Sequence, residues 1–112
     1  MTNNQITEVL AERILGWRSA PGRFLTGGRR WIPNWRFQPL KRLDDALRLL
    51  EALNPDKYTI QALHGRGYFV QVVLDGKAAE HQDPFLPRSI SLCVAAAVGI
   101  EIGNRTSIRG RS

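Results

Sequence analysis

The segment YFVQVVL, residues 68–74, restricts the fold more than any other part of the chain. Its β-branched and aromatic residues favour a β-strand, and successive side chains of a strand point to opposite faces of the sheet. Apolar side chains fall on both faces, with Tyr68, Val70, Val72 and Leu74 on one and Phe69 and Val73 on the other. We therefore expect a strand inside a sheet that helices cover on each side.

Two further strands are predicted beside this segment. Residues 57–63 precede it and are joined to it by the glycine-bearing turn 64–67, which is the pattern of a β-hairpin. Asp75 and Gly76 form a second tight-turn signal after it, so that residues 77–81 are expected to add a weak third strand. The sheet is therefore expected to be small and mostly antiparallel.

Three stretches place apolar residues at the three- and four-residue spacing of an amphipathic helix, namely 2–15, 41–53 and 89–98. In the middle stretch, Asp44 and Asp45 suit the positive N-terminal end of a helix. Asn54 followed by Pro55 indicates where this helix ends.

The region between the first two helices is predicted to be less regular. Residues 19–28 are glycine-rich, contain Pro21 and are expected to form a loop. Residues 30–37 have the aromatic content of a strand, but Pro33 and Pro39 restrict them to a short edge strand or an extended segment.

These elements predict an α+β fold in the order α-β-α-β-β-(β)-α. With helices on both faces of a small, mostly antiparallel sheet, the architecture is a three-layer α/β/α sandwich. At 112 residues the chain suits a single domain, which we place at residues 1–103. Residues 104–112 are basic and are predicted to form a disordered tail.

Several stretches resemble the small phage and prophage proteins that carry the phage ABA sandwich domain. They are Leu-Gly-Trp-Arg at 15–18, Trp-Ile-Pro at 31–33, LDDALRLL at 43–50, the hairpin with its aromatic-valine strand, and the alanine-rich stretch 91–97. The resemblance implies a three-layer α/β/α sandwich and a phage or prophage origin. It implies no reaction and no catalytic residue.

The positive charge of the chain is concentrated in one region. The formal net charge is +6, and residues 17–42, here called the basic-aromatic segment, contain seven basic residues and no acidic one: Arg18, Arg23, Arg29, Arg30, Arg36, Lys41 and Arg42. Five of the nine aromatic residues lie in the same segment: Trp17, Phe24, Trp31, Trp35 and Phe37. Aromatic planes stack on bases and arginines bind phosphate, so the segment indicates an anionic partner that contains a nucleobase.

The predicted ligand-binding residues follow from this composition. They are Arg23, Arg29, Arg30, Trp31, Trp35 and Arg36, together with Arg66 as an outlying contact. Trp17 is expected to belong to the core because it continues the apolar stripe of the first helix.

Arg66 lies in a stretch, HGRGYFVQVV from His64 to Val73, that begins like the signature of RNA-recognition strands. That signature places two stacking rings two residues apart on one face. Tyr68 and Phe69 are neighbours and face opposite sides of the strand. They therefore form no joint platform for bases, and the RNA-recognition fold is not predicted.

No enzyme, cofactor or metal is predicted. His81 and Asp83 are too few ligands for a metal site, and Cys93 lies among apolar residues, where a structural thiol is expected. Asp44 and Asp45 are adjacent on a helix and point about 100° apart, unlike a catalytic carboxylate pair. Within the sequence there is also no phosphate-binding loop motif.

The leading hypothesis is a non-enzymatic phage or prophage accessory protein that sequesters a nucleotide-type signal of host defence. One alternative is a protein that binds single-stranded nucleic acid, and another is an inhibitor that covers an acidic surface of a host defence enzyme. Homo-oligomerisation through an exposed strand edge is compatible with all three. Because no apolar run reaches the ~18 residues of a membrane span, we expect a protein of the host cytoplasm without a membrane partner.

Overall fold

A computed structural model describes residues 1–101 of the chain. Within this range there are three α-helices, two three-stranded antiparallel sheets and one short 3₁₀ turn. In chain order they are α1 (Asn3–Ile14), β1 (Arg18–Ala20), β2 (Arg23–Leu25), β3 (Trp31–Pro33), the 3₁₀ turn (Asn34–Arg36), α2 (Leu43–Leu53), β4 (Lys57–Leu63), β5 (Gly67–Leu74), β6 (Lys77–Asp83) and α3 (Leu86–Ala97). The predicted α+β fold is confirmed, whereas the predicted tail 104–112 lies outside the described residues.

The larger sheet has the order β4-β5-β6, with β5 in the centre as predicted. Val70 pairs with Ile60 on one side and with His81 on the other. Asp75 and Gly76 join β5 to β6 with φ values of 54° and 79°, the left-handed conformation that a two-residue hairpin turn requires. The third strand is longer than predicted and continues to Asp83.

Helix α3 packs against β5 and β6 and covers one face of the larger sheet, where Val70 and Val72 are fully buried. No residue on the opposite face of its strands is buried, and α2 packs on α3 rather than on the sheet. Within the described residues a helix therefore covers one face of the larger sheet, whereas a helix on each face was expected. The reason lies in the neighbouring strands, which place polar residues on this second face: Gln61 and Gln82 pair with Phe69, and Thr59 and Glu80 pair with Gln71.

The smaller sheet has the order β1-β2-β3 and was not predicted in full. The expected loop 19–28 contains most of β1 and all of β2, while the expected edge strand corresponds to β3. Each of these strands has three residues, which is too short for a periodic pattern to distinguish from a loop.

An aromatic cluster joins the smaller sheet to the core. Phe24 lies in the centre of β2 and is buried, and its ring centroid lies 5.8 Å from that of Trp17 and 6.1 Å from that of Phe37. Trp17 and Phe37 are themselves 5.0 Å apart. Trp17 is partly buried and packs against the core, in agreement with the prediction.

Gly67, the first residue of β5, lies against the end of β6 and the link that leads to α3. Its φ is +86°, and an added Cβ would lie 2.4 Å from the carbonyl oxygen of Asp83 and 2.5 Å from Cα of Pro84. Only glycine allows this approach. Helix α3 then begins at Leu86, three residues before the predicted start, with Pro87 in its first turn, where proline is tolerated.

Candidate functional site

The outer face of the smaller sheet brings basic and aromatic side chains together. The register places Arg18 beside Leu25 and Leu25 beside Trp31, and it places Arg23 between Ala20 and Pro33. Phe24 is buried in the core and pairs with Ser19 and Ile32. Because side chains alternate along a strand, the residues before and after these three point to the outer face of the sheet. We call the surface formed by Arg18, Arg23 and Trp31 the Arg–Trp face.

Within this face, Arg23 and Trp31 form a cation–π pair. The guanidinium carbon of Arg23 lies 4.2 Å from the ring centroid of Trp31, well inside the ~6 Å range of such contacts. The side chain of Trp31 is nevertheless 48% exposed. The pair therefore fixes the orientation of the ring while leaving ring surface open to a ligand.

The turn between β2 and β3 places two more arginines at the end of this face. The backbone N–H of Thr26 donates to the carbonyl of Arg30 at 2.9 Å, and that of Arg29 donates to the carbonyl of Thr26 at 2.9 Å. Arg29 has a φ of 66°, a left-handed conformation that costs a residue other than glycine about 1–2 kcal/mol. Both arginines are exposed.

The arginines of this region have no carboxylate partner among residues 1–101. The salt bridges in that range involve Arg42 with Asp44 and Asp45, and Asp83 with His81 and Arg88. None of them involves Arg18, Arg23, Arg29, Arg30 or Arg36. The positive charge around the Arg–Trp face is thus available to an external anion.

Trp35 lies on a different surface. It projects from the 3₁₀ turn, is 61% exposed, and lines a pocket of about 270 Å³ between this turn and α1. The other lining residues are Phe24, Phe37, Leu40, four amide side chains (Asn3, Asn4, Asn34 and Gln38), Thr7, Glu8 and Lys41. Because one acid and one base line this pocket, it lacks the excess positive charge of the Arg–Trp face.

The predicted binding residues therefore form two groups, one at the Arg–Trp face and one at the 3₁₀ turn, while Arg66 lies apart from both. Arg23, Arg29, Arg30 and Trp31 lie on or beside the Arg–Trp face, and Trp35 lines the pocket. Arg36 belongs to the 3₁₀ turn, with its guanidinium carbon 5.9 Å from the centroid of the Trp35 ring.

Arg66 lies in the turn between β4 and β5, on the larger sheet, where its carbonyl accepts a hydrogen bond from the Gln82 side chain at 3.3 Å. It joins neither of the two groups. Arg18 was not predicted, because only the pairing of β1 with β2 places it on the Arg–Trp face.

Asp83 contacts both His81 and Arg88 at the start of α3. The carboxylate of Asp83 lies 3.3 Å from Nε of Arg88 and 4.0 Å from Nε2 of His81, and it accepts the backbone N–H of Phe85 at 3.0 Å. Burial lowers the pKa of His81, and the nearby carboxylate partly opposes this effect. Among the described residues there is no group of three histidine, cysteine or acidic side chains that could hold a metal.

Cys93 is fully buried on α3 against the larger sheet. Its Sγ lies 3.4 Å from the carbonyl oxygen of Val70 and 3.3 Å from that of Ala79. Burial raises the pKa of the thiol to about 12, so the nucleophilic thiolate is strongly disfavoured at neutral pH. The predicted buried thiol is confirmed.

The three helices in residues 1–101 have 12, 11 and 12 residues, fewer than a membrane span requires. Neither a protein-family model nor a curated protein matches the sequence. The fold is similar to that of a phage protein from Bacillus cereus, whose crystal structure matches at a TM-score of 0.76 over 92% of this chain and 93% of that one. The two sequences are 21% identical, so this likeness establishes the fold, and membership of the phage ABA sandwich family is not confirmed.

Proposed function

We propose that this protein is a non-enzymatic phage or prophage accessory protein that binds single-stranded nucleic acid. The Arg–Trp face and the adjoining Arg29 and Arg30 form the binding surface. The observation that carries the proposal is the exposed ring of Trp31 held beside Arg23 at 4.2 Å, among arginines without a carboxylate partner in the described range. The phage origin is supported by the similar fold of the Bacillus cereus phage protein.

The shape of the surface favours a strand over a free nucleotide. Trp31 and Arg23 lie on the open outer face of a sheet, whereas a small ligand is usually enclosed in a cleft that buries most of its surface. A strand needs no enclosure, because successive bases and phosphates each add a contact. Stacking on an aromatic side chain contributes about 1–3 kcal/mol per base, and each arginine presents a planar fork that matches a phosphate.

Fluorescence anisotropy with labelled single-stranded oligonucleotides tests this proposal. We expect saturable binding whose affinity falls with salt, with a log–log slope of about −0.7 for each phosphate contacted. Trp31→Ala and Arg30→Ala should weaken binding. Lys77→Ala removes the same charge from the exposed start of β6, on the larger sheet, and serves as the matched control. Absence of binding, or an equal loss in the control, rejects the proposal.

A second candidate function is the capture of a single nucleotide in the pocket beside Trp35. The pocket combines an exposed indole with four amide side chains that can hydrogen-bond the edge of a base. Such binding would serve the sequestration of a nucleotide signal of host defence. Isothermal titration with a panel of cyclic and linear nucleotides should then give saturable heat that Trp35→Ala abolishes and Trp31→Ala preserves. A panel without saturable heat excludes this candidate.

A further inference from the structure

Strand β4 forms one edge of the larger sheet. Among residues 1–101 its only strand partner is β5, and six of its seven residues, Lys57 to Ala62, are exposed. Tyr58 and Ile60 are apolar yet 53% and 37% exposed. An edge of this kind presents free backbone donors and acceptors to another strand.

The two edges of the larger sheet differ in how they are protected. Charged side chains on an edge strand discourage pairing, and β6 carries Lys77, Glu80 and Asp83 in addition to His81. In β4 the only formal charge is that of Lys57 at its first residue, and the strand contains no proline. Its pairing with β5 is unbroken from Lys57 to Leu63, so no bulge bends the edge away. The β4 edge is the unprotected one.

We propose that β4 pairs with β4 of a second copy of this chain, antiparallel about a two-fold axis at Ile60, to form a six-stranded sheet. In this register Ile60 faces Ile60, Tyr58 faces Ala62 and Thr59 faces Gln61. The strand is therefore self-complementary, as an isologous interface requires. A shift of one residue would instead place Ile60 beside Gln61, so the apolar pattern selects the register.

The position of α3 leaves room for this pairing. Tyr58 and Ile60 share a face with Val72 and Val70 through the β4–β5 register, but α3 packs mainly against β5 and β6. In the dimer, Ile60 of one copy lies beside Ile60 of the other, and each Tyr58 lies beside Ala62 of the other copy. Cross-strand apolar pairs of this type stabilise a sheet.

The positions of the charged residues are also compatible with pairing between two copies of β4. The net charge of +6 opposes association of two copies in general, but the register places Lys57 of each copy beside Leu63 of the other. The two lysines then lie about 20 Å apart at opposite ends of the strand pair. Asp56, which precedes the strand, comes opposite His64 of the second copy. The inference does not depend on the proposed function, since the Arg–Trp face belongs to the smaller sheet.

The oligomeric state and a cysteine crosslink test this inference together. Sedimentation of the full chain at rising concentration should reach twice the monomer mass of 12.6 kDa. In Ile60→Cys the two thiols face each other across the axis, so mild oxidation should give a covalent dimer. Cys93 is buried and does not compete. Lys77→Cys, at the exposed start of β6, is the matched control and should stay monomeric on denaturing gels.

Three results would overturn the inference: a monomer at every concentration, a dimer in which Ile60→Cys does not crosslink, or equal crosslinking of the Lys77→Cys control. Ile60→Glu adds an independent measurement, because it places two carboxylates opposite each other. We expect this variant to sediment as a monomer while its circular dichroism spectrum is unchanged. If Ile60→Glu does not fold, the crosslinking of Ile60→Cys still tests the inference.

Discussion

Arg23 and Trp31 lie on adjacent strands of the smaller sheet, with the guanidinium carbon 4.2 Å from the centre of the indole ring. They are not directly opposite, since Arg23 pairs with Pro33 and Trp31 pairs with Leu25. The contact is therefore a diagonal one on a single face, and it exists because β2 and β3 are held in this register. Diagonal neighbours remain within reach of long and aromatic side chains.

This pair predicts that binding and stability respond differently to one substitution. Trp31→Ala should lower the free energy of unfolding by no more than about 1 kcal/mol, because an exposed cation–π contact is worth about 0.5–1 kcal/mol. The same variant should lose about 1–3 kcal/mol of affinity for single-stranded nucleic acid. Urea denaturation and anisotropy titration measure the two quantities. A large loss of stability with unchanged affinity would show that Trp31 is structural.

Gly65 lies in the β4–β5 turn and Gly67 is the first residue of β5, and the two predict a matched pair of stability effects. Gly67→Ala brings Cβ to 2.4 Å from the Asp83 carbonyl oxygen, so the start of β5 or the end of β6 must move. Gly65→Ala meets nothing within 4 Å, although its φ is also positive at +72°. We expect a loss of about 1 kcal/mol for Gly65→Ala and several-fold more for Gly67→Ala, measured by thermal unfolding. Equal losses would contradict the close approach.

Cys93 predicts an unreactive thiol and a loss of stability at alkaline pH. The pKa is raised to about 12 in the folded chain, whereas a free thiol titrates near 8.5. The folded state therefore favours the protonated thiol. The resulting stability is fully present below about pH 8.5 and is lost as the pH rises toward 12.

Two measurements check this prediction for Cys93. A thiol-specific reagent at pH 8 should react with the native chain far more slowly than with the chain in denaturant. The free energy of unfolding should fall more steeply with alkaline pH in the native chain than in Cys93→Ala. Rapid labelling of the folded chain would show that α3 opens from the larger sheet.

Much of the larger sheet was predictable, whereas the smaller sheet was not. Strands β4 to β6 are long enough for alternation to be visible, and Asp75 with Gly76 gives a strong turn signal. Whether a face of β5 is covered depends on residues in β4 and β6, which the pattern of one strand does not contain. The missing helix on the second face follows from Thr59, Gln61 and Glu80 rather than from β5 itself.

The residue types of the candidate site were predictable, but their grouping was not. Trp31 and Trp35 are four residues apart in the chain, yet one lies on the outer face of a strand and the other lines a pocket beside α1. Trp31 belongs to β3, whereas Trp35 belongs to the 3₁₀ turn that follows this strand. Arg18 joins Arg23 and Trp31 only through strand pairing, which has no signal in strands of three residues.

His81 predicts a pH response that depends on Asp83. Burial lowers the pKa of His81, the carboxylate of Asp83 raises it and Arg88 lowers it. Because the folded chain favours neutral His81, this residue contributes stability that is lost as the pH falls below about 6.5. Asp83→Asn removes the raising charge but keeps an oxygen to accept the Phe85 N–H. We expect the NMR titration of His81 to shift to lower pH in this variant, and a shift to higher pH would contradict the assignment.

Arg29 predicts a substitution that stabilises the fold while it weakens binding. Its φ of 66° is unfavourable for arginine and favourable for glycine or asparagine. Backbone strain of this kind is often retained at functional sites, and Arg29 extends the positive charge beside the Arg–Trp face. Arg29→Asn should therefore raise the free energy of unfolding by about 0.5–1 kcal/mol and reduce affinity for single-stranded nucleic acid. Arg29→Lys keeps both the charge and the strain, so its stability should equal that of the native chain and its binding should stay closer to native. If Arg29→Asn gained stability and bound with native affinity, the arginine would have no role in the proposed surface.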